Sequence, residues 1–519
     1  MDCDLLVIGG GVNGAAIARD AQGRGLKTLL VERDDLASGT SSASSKLIHG
    51  GLRYLESYDF KLVRHALRER ELLLRAAPHI IWPLRFYLPH SSAQRPRWMI
   101  RLGLFVYDNS AKRALLPGSR SLRFAQEFGT ANPLKPNFKH GFVYSDCWVQ
   151  DARLVVLMAQ DLVARGGQVL TRTEVTRARR AADQSHWNCT LRAQDGELIY
   201  AKARALVNAA GPWADQVDET VVAKIKPGKL RHVRGSHIVV PKLTGIDQAF
   251  LLQNSDGRAV FVLPYEQDFT LIGTTDQDHS DPDTRPECSD EERDYLLAFA
   301  SEYFAKPVTK EDVVWSYSGV RPLYDDGASS ATAATRDYVL TVNQPDGTAP
   351  ILNVFGGKIT TYRKLAENAL VEIAPFFPEL PGPWTAGVPL PGGDFAVKDV
   401  QKKLEQLEKD YPFLTPNWAQ RLLRAYGTEA WDMLGTAKTA ADLGRDFGAT
   451  LTEQELRWSI ANEYTKTTED MIWRRSKLGL RLSKDEVADL DKFFSYPQGK
   501  AKKTPKRKAK PVALDQEIG

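Results

Sequence analysis

A length of 519 residues exceeds what one ordinary core holds and predicts two or three domains. With 43% hydrophobic and 26% charged residues, the chain has the balance of a soluble globular protein, and no apolar run is long enough for a membrane-spanning helix. A net charge of +4 excludes a polycation, and the four scattered cysteines (Cys3, Cys147, Cys189, Cys288) form no CxxC pair, which argues against a disulfide framework, a zinc site or an iron–sulfur cluster.

The apolar run 5–8 reads as a strand and enters Gly9-Gly10-Gly11-Val12-Asn13-Gly14. A helix-compatible segment over 15–22 follows, and a second apolar run, 28–31, ends in Glu32. Together these form the dinucleotide-binding βαβ fingerprint. Gly9 allows the tight turn, Gly11 lets backbone approach a pyrophosphate, and Gly14 lets helix pack on strand. The helix N-terminus, with Asn13 in it, offers unpaired N–H groups to the diphosphate. Glu32 is at the distance expected for a ribose-binding carboxylate, and Arg33 follows it. The first strand begins within about three residues of the N-terminus, which leaves no room for a leader and predicts cytoplasmic exposure.

Next comes a hydroxyl-rich loop over 38–46, with Thr40, Ser41, Ser44 and Lys46 placed to pass close to a phosphate or flavin ring. It runs into Leu47-Ile48-His49-Gly50-Gly51-Leu52-Arg53-Tyr54, and helical spacing follows over 61–75. The segment 95–107 interleaves arginines with Trp98, Met99, Leu102 and Phe105. It suits either an in-plane interfacial helix or a buried helix with snorkelling arginines. An amphipathic helix over 151–164 and a strand over 168–170 precede an apolar strand that stops at Gly211-Pro212, returning the chain to the cofactor.

The β-rich runs 237–240, 259–263 and 270–273, bounded by turns such as Asp256-Gly257, predict a separate sheet. Strand 351–354, then Phe355-Gly356-Gly357-Lys358 and a helix over 361–373, repeat the strand–glycine–helix logic. A Pro- and Gly-rich stretch, 375–391, marks a boundary before a charged helical region over 397–494. The segment 500–510 holds seven basic residues and no acid and reads as a disordered tail. Solubility and attraction to anionic headgroups both remain open for it, and nothing else in the chain supports nucleic acid.

Nine stretches, in order IGGGVNGAAIARDAQGRGL, TSSASSKLIHGGLRYLE, YSDCWVQDARLV, VNAAGPWAD, RGSHIVVPK, IGTTD, YSGVRPL, TRDYVL and FGGKITTYRKLAE, resemble the FAD-dependent glycerol-3-phosphate dehydrogenases. Within that family the likeness is greatest to the aerobic, respiratory bacterial enzymes, from about residue 4 to 390. The resemblance implies an α/β fold. A discontinuous Rossmann-like FAD-binding domain would span 1–60, 145–215 and 335–385, and an inserted antiparallel-sheet substrate domain 61–144 and 216–334. A helical C-terminal domain over 390–495 and a tail over 496–519 complete the division.

It also implies oxidation of sn-glycerol 3-phosphate to dihydroxyacetone phosphate by hydride transfer from C2 to flavin N5. Electrons would pass to a membrane quinone, with monotopic attachment to the inner face of the cytoplasmic membrane through anionic lipids, and a homodimer is expected. No histidine or cysteine linkage motif is present, so FAD would bind noncovalently. The lysine-rich extension departs from the family pattern.

A phosphomonoester dianion calls for the planar fork of arginine. Similarity to the family makes Arg53 and Arg321 the leading phosphate and substrate anchors, with Arg336 a further candidate. The reaction needs a base for the C2 hydroxyl. His237, at the start of its strand, ranks first and His49 second. Lys358 would hold the substrate oxygen or the flavin's electron-rich edge, beside Gly357 and the helix start at Thr360. Thr274, Thr275 and Tyr54 complete a polar lining. An oxygen-using oxidase and a flavin-dependent amine or amino-acid oxidase are the rivals, and the arginine motifs argue against the latter. A cofactor domain split over much of the chain argues against a NAD-dependent enzyme.

Overall fold

The computed structural model describes residues 1–56, 58–92, 94–222, 230–243, 245, 247–254, 258–325 and 337–495. Arg336, the Asp256-Gly257 turn and the basic tail lie outside the described residues.

The first strand, Asp2–Ile8, is apolar at successive positions because both its faces are covered. Leu5 and Val7 face a layer formed by the helices Val12–Gly23, Asp151–Ala164 and Tyr362–Ile373. Leu6 and Ile8 face the opposite way, against Val175, Trp187 and Leu191. Parallel ladders join this strand to Thr28–Val31 on one side and Leu198–Asn208 on the other. The strand Ile351–Phe355 adds in parallel beyond Leu198–Asn208, and Gln168–Leu170 beyond Thr28–Val31. Ile8, Val31 and Asn208 are register partners, so the carboxyl ends of strands far apart in sequence meet at one edge of this 8-stranded sheet. Such an edge is where open α/β sheets bind ligands. The α/β class with a chain-discontinuous cofactor sheet is the one expected.

A second, 10-stranded sheet carries the long strands Leu230–Pro241, Ala259–Tyr265 and Phe269–Gly273 together with Ile81–His90 and His140–Val149. It is antiparallel except where Ala249–Gln253 meets Ile81–His90, the seam at which two separate stretches of chain join. The ladder between His140–Val149 and Ile81–His90 runs through residue 145 to Val149, and Leu47–Ile48 also pairs into this sheet.

The C-terminal region is helical, with Val400–Asp410, Pro416–Tyr426, Glu453–Asn462 and Lys484–Ser495. Arg475 clasps the buried Asp35 through two bonds of 2.7 Å, and Arg172 binds Asp470 at 2.8 Å. Arg153 pairs with Glu463 at 2.7 Å. Asp35 lies three residues after Glu32, so the clasp ends beside the fingerprint.

Candidate active site

Gly9 has φ +107°, and a Cβ there would lie 2.5 Å from the Ala209 carbonyl oxygen. At Gly14 a Cβ would meet the Gly9 oxygen at 1.9 Å, so the first helix can pass the strand end only without a side chain. Gly11 caps that helix with no side-chain bond. The Val12 N–H donates to Ser41 Oγ at 2.9 Å, which draws the hydroxyl loop over the helix start. Glu32 Oε2 accepts from the Gly10 N–H at 2.6 Å and Oε1 from the Asp34 N–H at 2.8 Å. Burial nevertheless pushes its carboxyl up to about 7. Asn13 Nδ2 donates to the Gly356 oxygen at 3.1 Å, whereas its buried Oδ1 has no hydrogen-bond partner. A glycine cradle, an open helix end, a buried carboxylate at the second strand and an orphaned amide oxygen fit a dinucleotide cofactor.

The remaining expected cofactor residues divide into two groups. Gly211 (φ +58°), Gly357 (φ +100°), Lys358 and Thr360 come to the same sheet edge. Thr360 Oγ1 accepts from the His49 N–H at 3.2 Å, tying the late glycine turn to the early HGG turn. The Lys358 ammonium lies 3.7 Å from the Tyr54 ring centroid. Arg33 stacks on Trp213 at 4.2 Å on the rim. By contrast, Ser44 and the fully buried Lys46 are turned inward. Both bind Asp151, Ser44 at 2.8 Å and Lys46 at 2.9 Å, and Thr40 donates to the Val320 oxygen at 2.5 Å. These three brace the loop from beneath.

Beside the cradle lies a cavity of about 820 Å³ whose wall includes His49, Arg53, Tyr54, Thr274, Thr275 and Arg321. Arg321 pairs with Asp276 and donates to Thr274 Oγ1 at 3.1 Å. His237 is not part of that wall. It is buried, flat against Tyr317 at 4.8 Å, with Nε2 2.9 Å from Ser45 Oγ and Nδ1 without a hydrogen-bond partner. Burial, and then the Arg321 and Lys46 charges, hold its pKa well below the ordinary value, so the ring is neutral at neutral pH. His49 faces the cavity, edge-on to Phe261 at 6.2 Å.

Glu292 escaped the sequence reading. Its buried carboxylate accepts from Thr275 Oγ1 at 2.6 Å, Ser236 Oγ at 2.9 Å and Arg234 at 2.8 Å. Ser289-x-x-Glu292 is a capping box, so the signal was there, but it announces a helix start rather than a site. Asp146, Tyr107 and Arg70 form a second hidden support. The Gly50 N–H donates to Tyr107 OH at 2.9 Å, and Tyr107 OH and Arg70 donate to Asp146 at 2.8 Å and 2.7 Å. Nothing in the sequence joins these residues.

Residues 4–363 match the family model described as FAD dependent oxidoreductase, and residues 383–500 that of the C-terminal domain of alpha-glycerophosphate oxidase. The chain is 49% identical to the aerobic glycerol-3-phosphate dehydrogenase of Escherichia coli, over 95% of this chain and 97% of that protein. It is 48% identical, at the same coverage, to the D-erythritol 1-phosphate dehydrogenase of Brucella abortus. The solved glycerol-3-phosphate dehydrogenase of Bacillus halodurans, complexed with FAD, superposes with TM-score 0.72 at 27% identity, over 95% of this chain and 94% of that one.

Proposed function

The chain belongs to the FAD-dependent glycerol-3-phosphate dehydrogenase family, and on that premise we propose that it oxidises sn-glycerol 3-phosphate to dihydroxyacetone phosphate. The observation that carries the reading is the cavity wall, where Arg53 and Arg321 stand with His49 beside the dinucleotide cradle. Bound FAD supplies the acceptor for the hydride leaving C2. Gly9, Gly11, Asn13 and Glu32 would hold the cofactor's diphosphate and ribose, with Gly357, Lys358 and Thr360 as further cofactor-binding residues. Arg53 and Arg321 bind the phosphate dianion as charge-assisted donors. Arg336 belongs to the same proposal as a further anchor.

His49 takes the proton from the C2 hydroxyl, while His237 holds Ser45 and with it the loop between the two sheets. Lys358 and Tyr54 close the site on the cofactor side, and Lys358 places a positive charge where negative charge develops. Thr274 and Thr275 orient the glycerol hydroxyls, with Thr275 fixed in turn by Glu292. Electrons leave to a membrane quinone. The chain works as a homodimer on the cytoplasmic face of the membrane, held there by anionic lipid. Among the described residues no helix is long and apolar enough to cross a bilayer.

Two observations favour neighbouring readings. The relative that acts on D-erythritol 1-phosphate is nearly as similar as the glycerol-3-phosphate enzyme, and a cavity of about 820 Å³ has room for a longer polyol phosphate. The C-terminal match carries an oxidase's name, which keeps oxygen as the rival acceptor. Anaerobic mixing of the yellow protein with each sugar phosphate tests both. Bleaching of the visible flavin band by sn-glycerol 3-phosphate first, reversed faster by a soluble quinone analogue than by oxygen, is the expected result. Faster bleaching by D-erythritol 1-phosphate would reassign the substrate, and reversal mainly by oxygen would reassign the acceptor.

A further inference from the structure

The strand Trp315–Tyr324 touches three working parts of the molecule in turn. Near its end, Arg321 stands on the cavity wall. Its middle runs along the hydroxyl loop. There the Val320 oxygen accepts from Thr40, and Tyr317 OH donates to the Ser44 oxygen at 2.8 Å. Gly319 lies so close to the loop that a Cβ on it would meet the Ala43 Cβ at 2.8 Å. The same loop reaches the fingerprint helix through Ser41 and the buried His237 through Ser45. The first residue of the strand, Trp315, packs on the C-terminal region. Its indole stacks on Trp473 with centroids 4.3 Å apart and planes 13° from parallel.

Four rings therefore form one column, Trp473, Trp315, Tyr317 and His237, with successive centroids 4.3, 5.0 and 4.8 Å apart. Both ends of the column are fixed. His237 holds Ser45 at one end. At the other, a Cβ on Gly479 would lie 2.5 Å from Trp473 Cζ2, so the turn closes on the indole. Arg474 and Arg475, the next two residues, pin this segment to the buried Asp35 just after Glu32. Lys477 is buried in the same segment and donates to the Trp473 oxygen. Stacked rings have few rotamers to lose and a preferred offset, so the column transmits a position rather than a loose contact. We propose that Trp473 is a positioning residue for the oxidation. Pinned to the cofactor sheet by its neighbours, it sets through Trp315 and Tyr317 the place of the hydroxyl loop and of Arg321 against the cofactor. The inference rests on the reading of the chain as a glycerol-3-phosphate-oxidising flavoenzyme, and it extends the machinery of that reaction into the C-terminal region.

The test compares the full-length, FAD-loaded wild type with Trp473→Ala, Trp473→Phe and Arg481→Ala. The last breaks another contact of the C-terminal region with the substrate sheet, Arg481 with Asp268 at 2.6 Å, and leaves the ring column alone. Each protein is read by stopped-flow bleaching with sn-glycerol 3-phosphate, FAD content, melting midpoint and the visible circular dichroism of the substrate-free flavin. Trp473→Ala is expected to slow bleaching by about 10- to 100-fold, the cost of a misplacement of about 1 Å or less. Its flavin dichroism should change while FAD content is kept. Trp473→Phe keeps a ring on Trp315 and should restore most of the rate. Arg481→Ala should lose stability yet keep the wild-type rate and dichroism. Wild-type bleaching and dichroism in Trp473→Ala overturn the proposal. An equal loss in Arg481→Ala overturns it too, because any loosening of the joint would then slow the reaction. If Trp473→Ala fails to fold, Trp473→Leu, which keeps apolar bulk without a ring, carries the same comparison. Wild type that sn-glycerol 3-phosphate does not bleach sinks the substrate reading, and the dichroism still decides on Trp473.

Discussion

Arg321 is held by Asp276 and Thr274 so that its guanidinium stays on the cavity wall without substrate. Arg321→Ala removes a charge-assisted contact worth about 1.5–3 kcal/mol, or roughly a 10- to 150-fold rise in KM. It also leaves the Asp276 carboxylate facing the phosphate, which pushes the effect towards the upper end. FAD content should not change, and unaltered steady-state kinetics would remove Arg321 from the site. Glu32 gives a pH-dependent prediction. Its folded pKa of about 7 lies above the ordinary 4.5, so its contribution to stability is fully present below 4.5 and lost as pH rises through about 7. In the proposed FAD complex, ribose hydroxyls would donate to the ionised form and offset that loss. FAD affinity of the apoprotein should therefore fall by about tenfold per pH unit below about 7. Titration of wild type and Glu32→Gln by fluorescence quenching checks this. A flat wild-type profile would mean that Glu32 does not receive the ribose.

At the scale of elements, the HGG turn is held by parts that come from elsewhere. Tyr107 from the amphipathic helix, Asp146 from a central strand and Arg70 from the helix Phe60–Ala76 converge on Gly50. A Cβ on Gly50 would press on Leu67 and the Tyr107 hydroxyl, so the glycine is required by close approach. Tyr107→Phe removes the better acceptor for the Gly50 N–H and one donor to Asp146. A loss of about 1–3 kcal/mol is expected for the unsatisfied buried groups, read as a lower urea midpoint. Turnover should fall more than FAD content does, because the turn carries His49 and Arg53 rather than the diphosphate cradle. Equal loss of both would show that Tyr107 supports the core alone.

For the molecule as a whole, the decisive joint lies between the C-terminal helices and the cofactor sheet. Asp35, Asp470, Arg172, Arg474 and Arg475 form one buried charge cluster across it. Removing one member strands the others in a medium that solvates them poorly. Asp35→Asn should cost about 3–5 kcal/mol and expose the linker 375–391 to limited proteolysis ahead of either domain. Simultaneous cleavage throughout would mean that the two regions unfold as one unit. The same cluster grips the loop after Glu32, so weaker FAD retention should accompany the loosened joint.

The sequence by itself determined the cofactor cradle, because each step of the βαβ fingerprint is a local requirement. Gly9 and Gly14 are dictated by backbone contacts within one turn, and Glu32 by the length of one strand. It likewise placed Arg53, Arg321, Tyr54 and the threonines, whose motifs set them at turns and strand ends. Tertiary structure alone shows where His237 and His49 stand, His49 on the cavity wall and His237 packed on Tyr317. Both look alike in sequence, and only the fold brings Tyr317 and Ser45 against His237. Lys46 and Ser44 show the same limit: a hydroxyl-rich loop announces polarity but not which side faces in, and Asp151, far along the chain, settles it. The Arg97–Asn109 helix was ambiguous for a related reason. Two apolar stripes on opposite faces satisfy burial and exposure equally well, and only packing against Leu52, Tyr54 and Leu55 chose the one that stays dry.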